Sequence, residues 1–311
     1  MSKNPVDLIF RSPVKEDAQA VLDLMIACDI ADYGEADSEL ADLLDDWSEM
    51  DLQQDTWLVF NNENVLLGYA GIYVDAGGVF HYDLYVHPGP AYLDVNRQLI
   101  EKGEARTRAI LSEKNLEKVD ASLIMADTNQ GLKTLAEKLG YRVHIYHCGM
   151  RITFDSPPAA PQWVKGITLR TAIPGEDDHL IYEFIQHTFE KPGRTAPSFE
   201  GWSNTMLGAS NFRSDLWFLA FHEKELVGAN LCFAYPEYGW VRQLGVEPAW
   251  RGKGIGAALL QHAFCVFYEM GYTSAGLGVE AENLNAFHLY ERVGMQCTKR
   301  YVDYRRQITV S

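Results

Sequence analysis

The chain is short of positive charge: 27 Lys and Arg stand against 43 Asp and Glu in 311 residues, a net charge of -16. A surface of that sign repels phosphate backbones and anionic lipid, so neither nucleic acid nor membrane is expected as a partner. It is compatible with a cationic small molecule, although acidity alone also serves solubility. Long apolar runs are missing too, none approaching the roughly 18 residues that a spanning helix needs. Met1-Ser2-Lys3-Asn4-Pro5 has one positive charge and no apolar run behind it, which reads against a signal peptide. The five cysteines (Cys28, Cys148, Cys232, Cys265, Cys297) are odd in number, scattered and without CxxC spacing. They read as free thiols in a reducing cytoplasm. Nine histidines give no metal-site pattern; His144 and His147 lie in a strand-like stretch, where residues three apart face opposite sides. A monomer or homodimer without metal is expected.

What is present is ordinary globular composition, 47% apolar and 23% charged, at about twice the usual length of one domain. The halves repeat. Leu8-Ile9-Phe10-Arg11 matches Ile167-Thr168-Leu169-Arg170. Trp57-Leu58-Val59-Phe60 matches Trp217-Phe218-Leu219-Ala220, Leu67-Gly68 matches Val227-Gly228, and His87-Pro88 matches Glu247-Pro248, all at an offset of 160. Later, Asn129 and Lys138-Leu139-Gly140-Tyr141 match Asn283 and Arg292-Val293-Gly294-Met295 at an offset of 154. Between the copies, Asp155 to Pro161 holds three prolines in seven residues, an extended linker by composition. Domains at 1–154 and 165–311, joined by a linker at 155–164, follow.

Within the second copy, Trp217–Phe221 and Leu226–Phe233 around a polar turn read as a hairpin. Trp240–Val246 reads as the next strand, stopped by Pro248. Ile255, Leu259, Ala263, Val266 and Met270 form one apolar helical face, with Gly271 as its cap. A strand at Ala275–Val279 and a helix at Asn285–Arg292 follow. Hairpin strands before a strand-helix-strand unit make a mixed sheet with helices packed on it, an α+β fold.

Arg251-Gly252-Lys253-Gly254-Ile255-Gly256 joins strand to helix. Its glycines permit positive φ and let an anion approach the backbone, and the free amides of the helix start point at that anion. A P-loop would need Ser or Thr directly after the lysine, where Gly254 stands. A dinucleotide fingerprint would open its domain and carry a third glycine one position later, where Ala257 stands. A coenzyme A pyrophosphate site and a plain glycine-rich turn remain.

The segment Leu244-Gly245-Val246-Glu247-Pro248-Ala249-Trp250-Arg251-Gly252-Lys253-Gly254-Ile255-Gly256 resembles the first signature of the GNAT acetyltransferases. Asn283-Leu284-Asn285-Ala286-Phe287-His288-Leu289-Tyr290-Glu291-Arg292-Val293-Gly294-Met295 resembles the second. The match covers about residues 165–311, and the repeat extends it more weakly to 7–154. The resemblance implies two tandem GNAT-like domains, each a mostly antiparallel sheet with a central parallel strand pair flanked by helices. The tandem arrangement is similar to that of the mycothiol synthases, and two such copies also occur with other acceptors. It implies acetyl-coenzyme A as acyl donor, with Leu244, Gly245 and Val246 pairing with the pantetheine arm. Amides of Gly252, Lys253, Gly254, Ile255, Gly256 and Ala257 would bind the pyrophosphate, with charge from Arg251 and Lys253. Asn283 would contact the cofactor, and Tyr290 would protonate the departing thiolate.

Aminolysis of a thioester needs a neutral amine, a polarised carbonyl and a proton for sulfur. A backbone amide near Val246 can polarise the carbonyl, and Tyr290 can supply the proton. The general base is open. Family members often carry a strand glutamate where Trp240 stands here, and Glu237, Glu247 and Glu280 read better as surface acids. Cys265 has no evident histidine partner, which disfavours an acyl-cysteine route. In the first copy, Ala91-Tyr92-Leu93-Asp94-Val95-Asn96 replaces the glycine loop and Ala136 replaces Tyr290, so that copy is expected not to acetylate. Asp29 to Asp55 carries eleven acids and no Lys or Arg. In this fold the helices after the first strand border the acceptor, so these acids either attract a cation or form a solvated helix pair. The leading expectation is an N-acetyltransferase acting on a small-molecule amine by direct attack in a ternary complex. The alternatives are a non-catalytic acyl-coenzyme A sensor and a protein N-terminal acetyltransferase.

Overall fold

The computed structural model describes residues 8–75, 77–89, 92–191 and 195–310. The N-terminal residues read above and Ala91 lie outside them. The first copy runs β1 (Ile9–Arg11), α1 (Ala18–Tyr33), α2 (Leu40–Glu49), β2 (Thr56–Phe60), β3 (Leu66–Val74), β4 (Phe80–Val86), α3 (Leu93–Glu113), β5 (Lys118–Ala126), α4 (Gln130–Lys138) and β6 (Arg142–Thr153). The second copy repeats that order: β7 (Ile167–Thr171), α5 (Asp178–Thr188), α6 (Phe199–Leu207), β8 (Phe212–His222), β9 (Glu225–Ala234), β10 (Tyr238–Val246), α7 (Ile255–Glu269), β11 (Ser274–Glu280), α8 (Leu284–Arg292) and β12 (Gln296–Thr309).

Two compact units form, and their boundary is not the linker. The first takes the described residues to Tyr146 together with those from Arg300 onward; the second is His147–Lys299. The reason is strand pairing. β12 runs antiparallel to β5, from Tyr301↔Ala126 to Thr309↔Lys118, so the last strand of the second copy completes the first unit. The later half of β6 pairs with β11, from His147↔Glu280 to Thr153↔Ser274, and completes the second unit. A boundary drawn on composition at 154 could not register this exchange.

The first unit's sheet is ordered β1-β2-β3-β4-β5-β12, and the second unit's β6-β11-β10-β9-β8-β7. Each is antiparallel except for one central parallel pair, β4/β5 and β10/β11. In the second unit α7 covers one face through Ile255, Leu259, Ala263, Phe264 and Phe267, packed on Val241, Ala275 and Leu277. The other face carries α5 and α6, with Ile181, Phe184 and Trp202 on Trp217, Leu219 and Leu231. The expected stripe is present, with Val266 and Met270 partly buried against this core, and Phe264 and Phe267 widen it into a broader apolar face.

The first turn of each unit is held the same way. Arg11 donates two hydrogen bonds to Asp17, both 2.7 Å, and Arg170 donates two to Asp177, at 2.6 and 2.7 Å. These forked bonds are the first cause of the lowered carboxylate pKa at both aspartates. No helix among the described residues is long and apolar enough to cross a membrane.

Gly239 on β10 lies under the ring of Phe267, where a Cβ would stand 2.4 Å from three ring atoms. Phe267 is fully buried and cannot swing away. Gly239→Ala is therefore expected to lower the unfolding free energy of the second unit by about 1–3 kcal/mol. Urea unfolding followed by circular dichroism measures this, and an unchanged midpoint would contradict the packing.

Candidate active site: the gap between β10 and β11

β10 and β11 pair only at Tyr238↔Ser274, Gly239↔Ala275 and Trp240↔Gly276. β10 then continues to Val246 and β11 to Glu280 without pairing again. Two features accompany the parting. The register of β10 against β9 slips between Val241 and Gln243, a bulge that adds twist. The Trp240 ring lies against Gly276, where a Cβ would be 2.8 Å from Cζ3. On its other edge β10 stays paired with β9 to Val246↔Gly228, and the Glu247 N–H donates to the Val227 carbonyl at 3.0 Å. Backbone groups alternate between the edges of a strand, so those of Leu244 and Val246 face the gap. An open strand edge of this kind accepts an extended chain.

The glycine loop begins where the strand ends. Gly252 and Gly254 have φ of 75° and 91°, a left-handed conformation that suits glycine. Gly254 caps α7 without any side-chain hydrogen bond. Among the described residues, the N–H groups of Gly252 through Ala257 have no backbone acceptor. That is an anion cradle, strengthened by the helix dipole. Gly256 and Gly245 serve packing. A Cβ on Gly256 would sit 3.1 Å from Leu289 Cδ2 and 3.5 Å from Val246 Cγ2, and one on Gly245 2.5 Å from Thr188 Oγ1. The strand end, the start of α7 and α8 therefore meet at Gly256.

The two cations of the loop are placed differently from a simple phosphate pair. Arg251 turns its guanidinium to the backbone: Nε donates to the Val246 carbonyl at 3.0 Å and Nη2 to the Thr188 carbonyl at 2.9 Å. Lys253 Nζ stands 4.4 Å from the centre of the Trp250 indole, a cation–π contact on an exposed loop. On α8, Asn283 accepts from the Ala286 N–H at 3.3 Å as the helix cap. Tyr290, next in sequence to Leu289, is buried, and its hydroxyl makes no hydrogen bond among the described residues. Burial pushes its pKa up to about 12, so it keeps its proton at neutral pH.

The three carboxylates near the strand ends are otherwise engaged or remote. Glu280 pairs with Lys191, Glu247 lies 3.5 Å from His187, and Glu237 is exposed in the turn before β10. Sequence reasoning missed Gln243, whose side-chain oxygen accepts from Trp202 Nε1 at 3.3 Å on the face covered by α5 and α6. It also missed the end of α5 at Thr188; the offset of 160 shared by the strand matches, which pairs Thr188 with Cys28, was the available signal.

The first unit keeps the gap. β4 and β5 pair only at Phe80↔Ala121 and His81↔Ser122, and the His87 N–H donates to the Leu67 carbonyl at 2.9 Å, matching Glu247 and Val227. The cradle is different. Tyr92 caps α3, and the Asp94 carboxylate sits in its first turn, bonded to Arg97 and Gln98. Ala136 is fully buried in the place of Tyr290.

The sequence pattern described as the acetyltransferase (GNAT) family matches residues 179–295. A solved structure of a GCN5-related N-acetyltransferase from Sphaerobacter thermophilus is 33% identical, with a TM-score of 0.85 over 97% of this chain and 96% of that one. A protein named mycothiol acetyltransferase from Streptomyces scabiei is 30% identical over 155 residues, and the chain spans about half of its length (50%). Another so named, from Stackebrandtia nassauensis, is 25% identical over 81% of this chain and 82% of its own. With its two gapped sheets and its uncapped glycine loop, the chain belongs to the GNAT family of acetyltransferases. It is an N-acetyltransferase whose acyl donor is acetyl-coenzyme A.

Gly254→Val would place a β-branched residue at a φ of 91°. Such strain costs about 1–3 kcal/mol or displaces the cap. Affinity for acetyl-coenzyme A is expected to fall by about tenfold while the circular dichroism spectrum is kept. Calorimetric titration checks this, and wild-type affinity would remove the loop from the donor site.

Proposed function

We propose that the second copy transfers the acetyl group of acetyl-coenzyme A to the amine of a small molecule, by direct attack in a complex that holds both substrates. The observation that carries this is the continuity of two features: the open strand edge at Leu244 and Val246 runs directly into the uncapped helix start at Gly254 to Ala257. An extended pantetheine would pair with the first, and the diphosphate would lie on the second. The Val246 N–H faces the gap and would polarise the thioester carbonyl. Asn283 would reach the cofactor from the start of α8. Tyr290, protonated and with no hydrogen-bond partner for its hydroxyl among the described residues, would give its proton to the departing sulfur.

Direct attack is supported by the placement of the cysteines. Cys232 is fully buried and its thiol is pushed up in pKa by burial; the Cys265 thiol lies beside the Pro158 and Ala159 carbonyls and is also raised. Neither has thiolate character. None of the five cysteines is in a disulfide, in keeping with a reducing cytoplasm. A small-molecule acceptor follows the naming of the relatives that span most of the chain. The first copy, with a carboxylate in the helix start and Ala136 for the tyrosine, takes no part in the chemistry.

Release of coenzyme A is measured with aminoglycosides, polyamines, amino sugars and peptides as acceptors. Turnover of a small amine is expected. Binding of acetyl-coenzyme A without turnover on the panel would make the chain a sensor, and acetylation of peptides alone would make it a protein acetyltransferase. With the active amine, Tyr290→Phe should lower kcat by about a hundredfold with little change in donor affinity. Because its pKa stands at about 12, Tyr290 holds its proton through neutral and mildly alkaline pH and loses it only as pH rises through that value. No descending limb from this acid is expected below pH about 10; a limb that Tyr290→Phe abolishes in that range would sink the assignment.

A further inference from the structure

We propose that Arg251 is a positioning residue that locks the end of α5 to the end of β10, and so fixes the acceptor face against the donor gap, rather than a ligand of the diphosphate. The inference rests on reading that gap as the acyl-transfer site. Both hydrogen bonds of the guanidinium go to backbone carbonyls: Val246, on the edge that faces the gap, and Thr188, the last residue of α5. A planar fork of donors joins two such oxygens in one geometry, and a cation at the C-terminal carbonyls of a helix also opposes its dipole. The same turn of α5 is fastened again on either side. Thr188 Oγ1 fills the space left by Gly245, and His187 stands by Glu247. Further on, Lys191 pairs with Glu280 at the end of β11. The end of α5 and the residues after it thus touch both strands that border the gap.

The repeat supplies independent support. Val86 corresponds to Val246 and Cys28 to Thr188, both at the offset of 160. In the first unit the Cys28 thiol donates directly to the Val86 carbonyl at 3.3 Å. Burial and the neighbouring Asp32 and Asp29 hold that thiol protonated, its pKa pushed up to about 12, so it remains a donor. Both units therefore tie the carbonyl at the strand end to the same position of the first long helix. One does it with a side chain of the helix, the other through an arginine on the loop.

The test compares Arg251→Met, which removes charge and fork, with Arg251→Lys, which keeps the charge but not the fork. Both variants are expected to raise exchange at the Phe189 and Glu190 amides, which bond to the Ile185 and His187 carbonyls, by about tenfold in the free protein. Both should bind acetyl-coenzyme A within about threefold of wild type and lose about tenfold or more in kcat/KM for the amine. A lysine variant like wild type beside a methionine variant that loses donor affinity about tenfold would make Arg251 a phosphate ligand and overturn the proposal. Unchanged exchange in both variants would overturn it as well. If no amine is turned over, the exchange and donor-binding measurements still decide, so failure of the proposed reaction is told apart from failure of the clamp.

Discussion

Beyond Trp240 and Gly276, two parallel strands that share a sheet stop exchanging hydrogen bonds, and the backbone groups of Leu244 and Val246 are left to other partners. A backbone group withdrawn from water without a partner costs about 1–3 kcal/mol, so such an edge must either stay wet or be completed by a ligand. The rest of the second unit holds the edge open. α5 presses Thr188 into the place of a side chain at Gly245, α7 brings Gly256 against Val246, and α8 closes that corner with Leu289. Because these contacts exist before any substrate arrives, a chain entering the gap has only its own ordering to offset.

The two copies separate scaffold from chemistry within one molecule. Both have the order β-α-α-β-β-β-α-β-α-β, the arginine–aspartate fork at the first turn, and a parallel pair that parts after two or three residues. These features belong to the fold, since they persist where the cradle is gone. The features that differ sit at the start of one helix and on one turn of another. An uncapped start with left-handed glycines attracts an anion; a start bearing Asp94 repels one, because the helix dipole there is already matched by a carboxylate. In the proposed reaction only the second copy can hold a diphosphate, while the first keeps its gap without the means to anchor a charged donor.

Much of this was legible in the residues, and what was hidden has identifiable reasons. Gly252 and Gly254 announced themselves because positive φ leaves few alternatives. Repeated motifs, three pairs of them at one offset, revealed the duplication. The exchange of β12 and the end of β6 between units was invisible, since pairing across well over a hundred residues leaves no local mark. The parting of β10 and β11 depends on a bulge and a ring over a glycine, neither of which alters the apolar pattern of the strand. Arg251 was read as charge for a phosphate, which composition supports; only its geometry shows both hydrogen bonds committed to carbonyls. Gly256 was read as an opening for an anion and Gly245 as part of a strand beside pantetheine; the structure sets Leu289 and Val246 against the first and Thr188 against the second.

The proposed chemistry still needs a neutral amine, and the strand position from which a carboxylate would take its proton carries Trp240. Trp202, held to Gln243, packs with Trp217 in the buried core beneath α5 and α6, and the half-buried rings of Tyr182, Phe199 and Trp240 lie at the edge of that core. An ammonium near indole rings gains about 0.5–2 kcal/mol from cation–π attraction. Full loss of hydration penalises it by up to about 3–5 pKa units, each worth about 1.4 kcal/mol. In the proposed reaction an acceptor withdrawn from water would therefore favour its free base, the proton passing to water as the amine binds. Desolvation of the amine would there do what a glutamate does by accepting a proton.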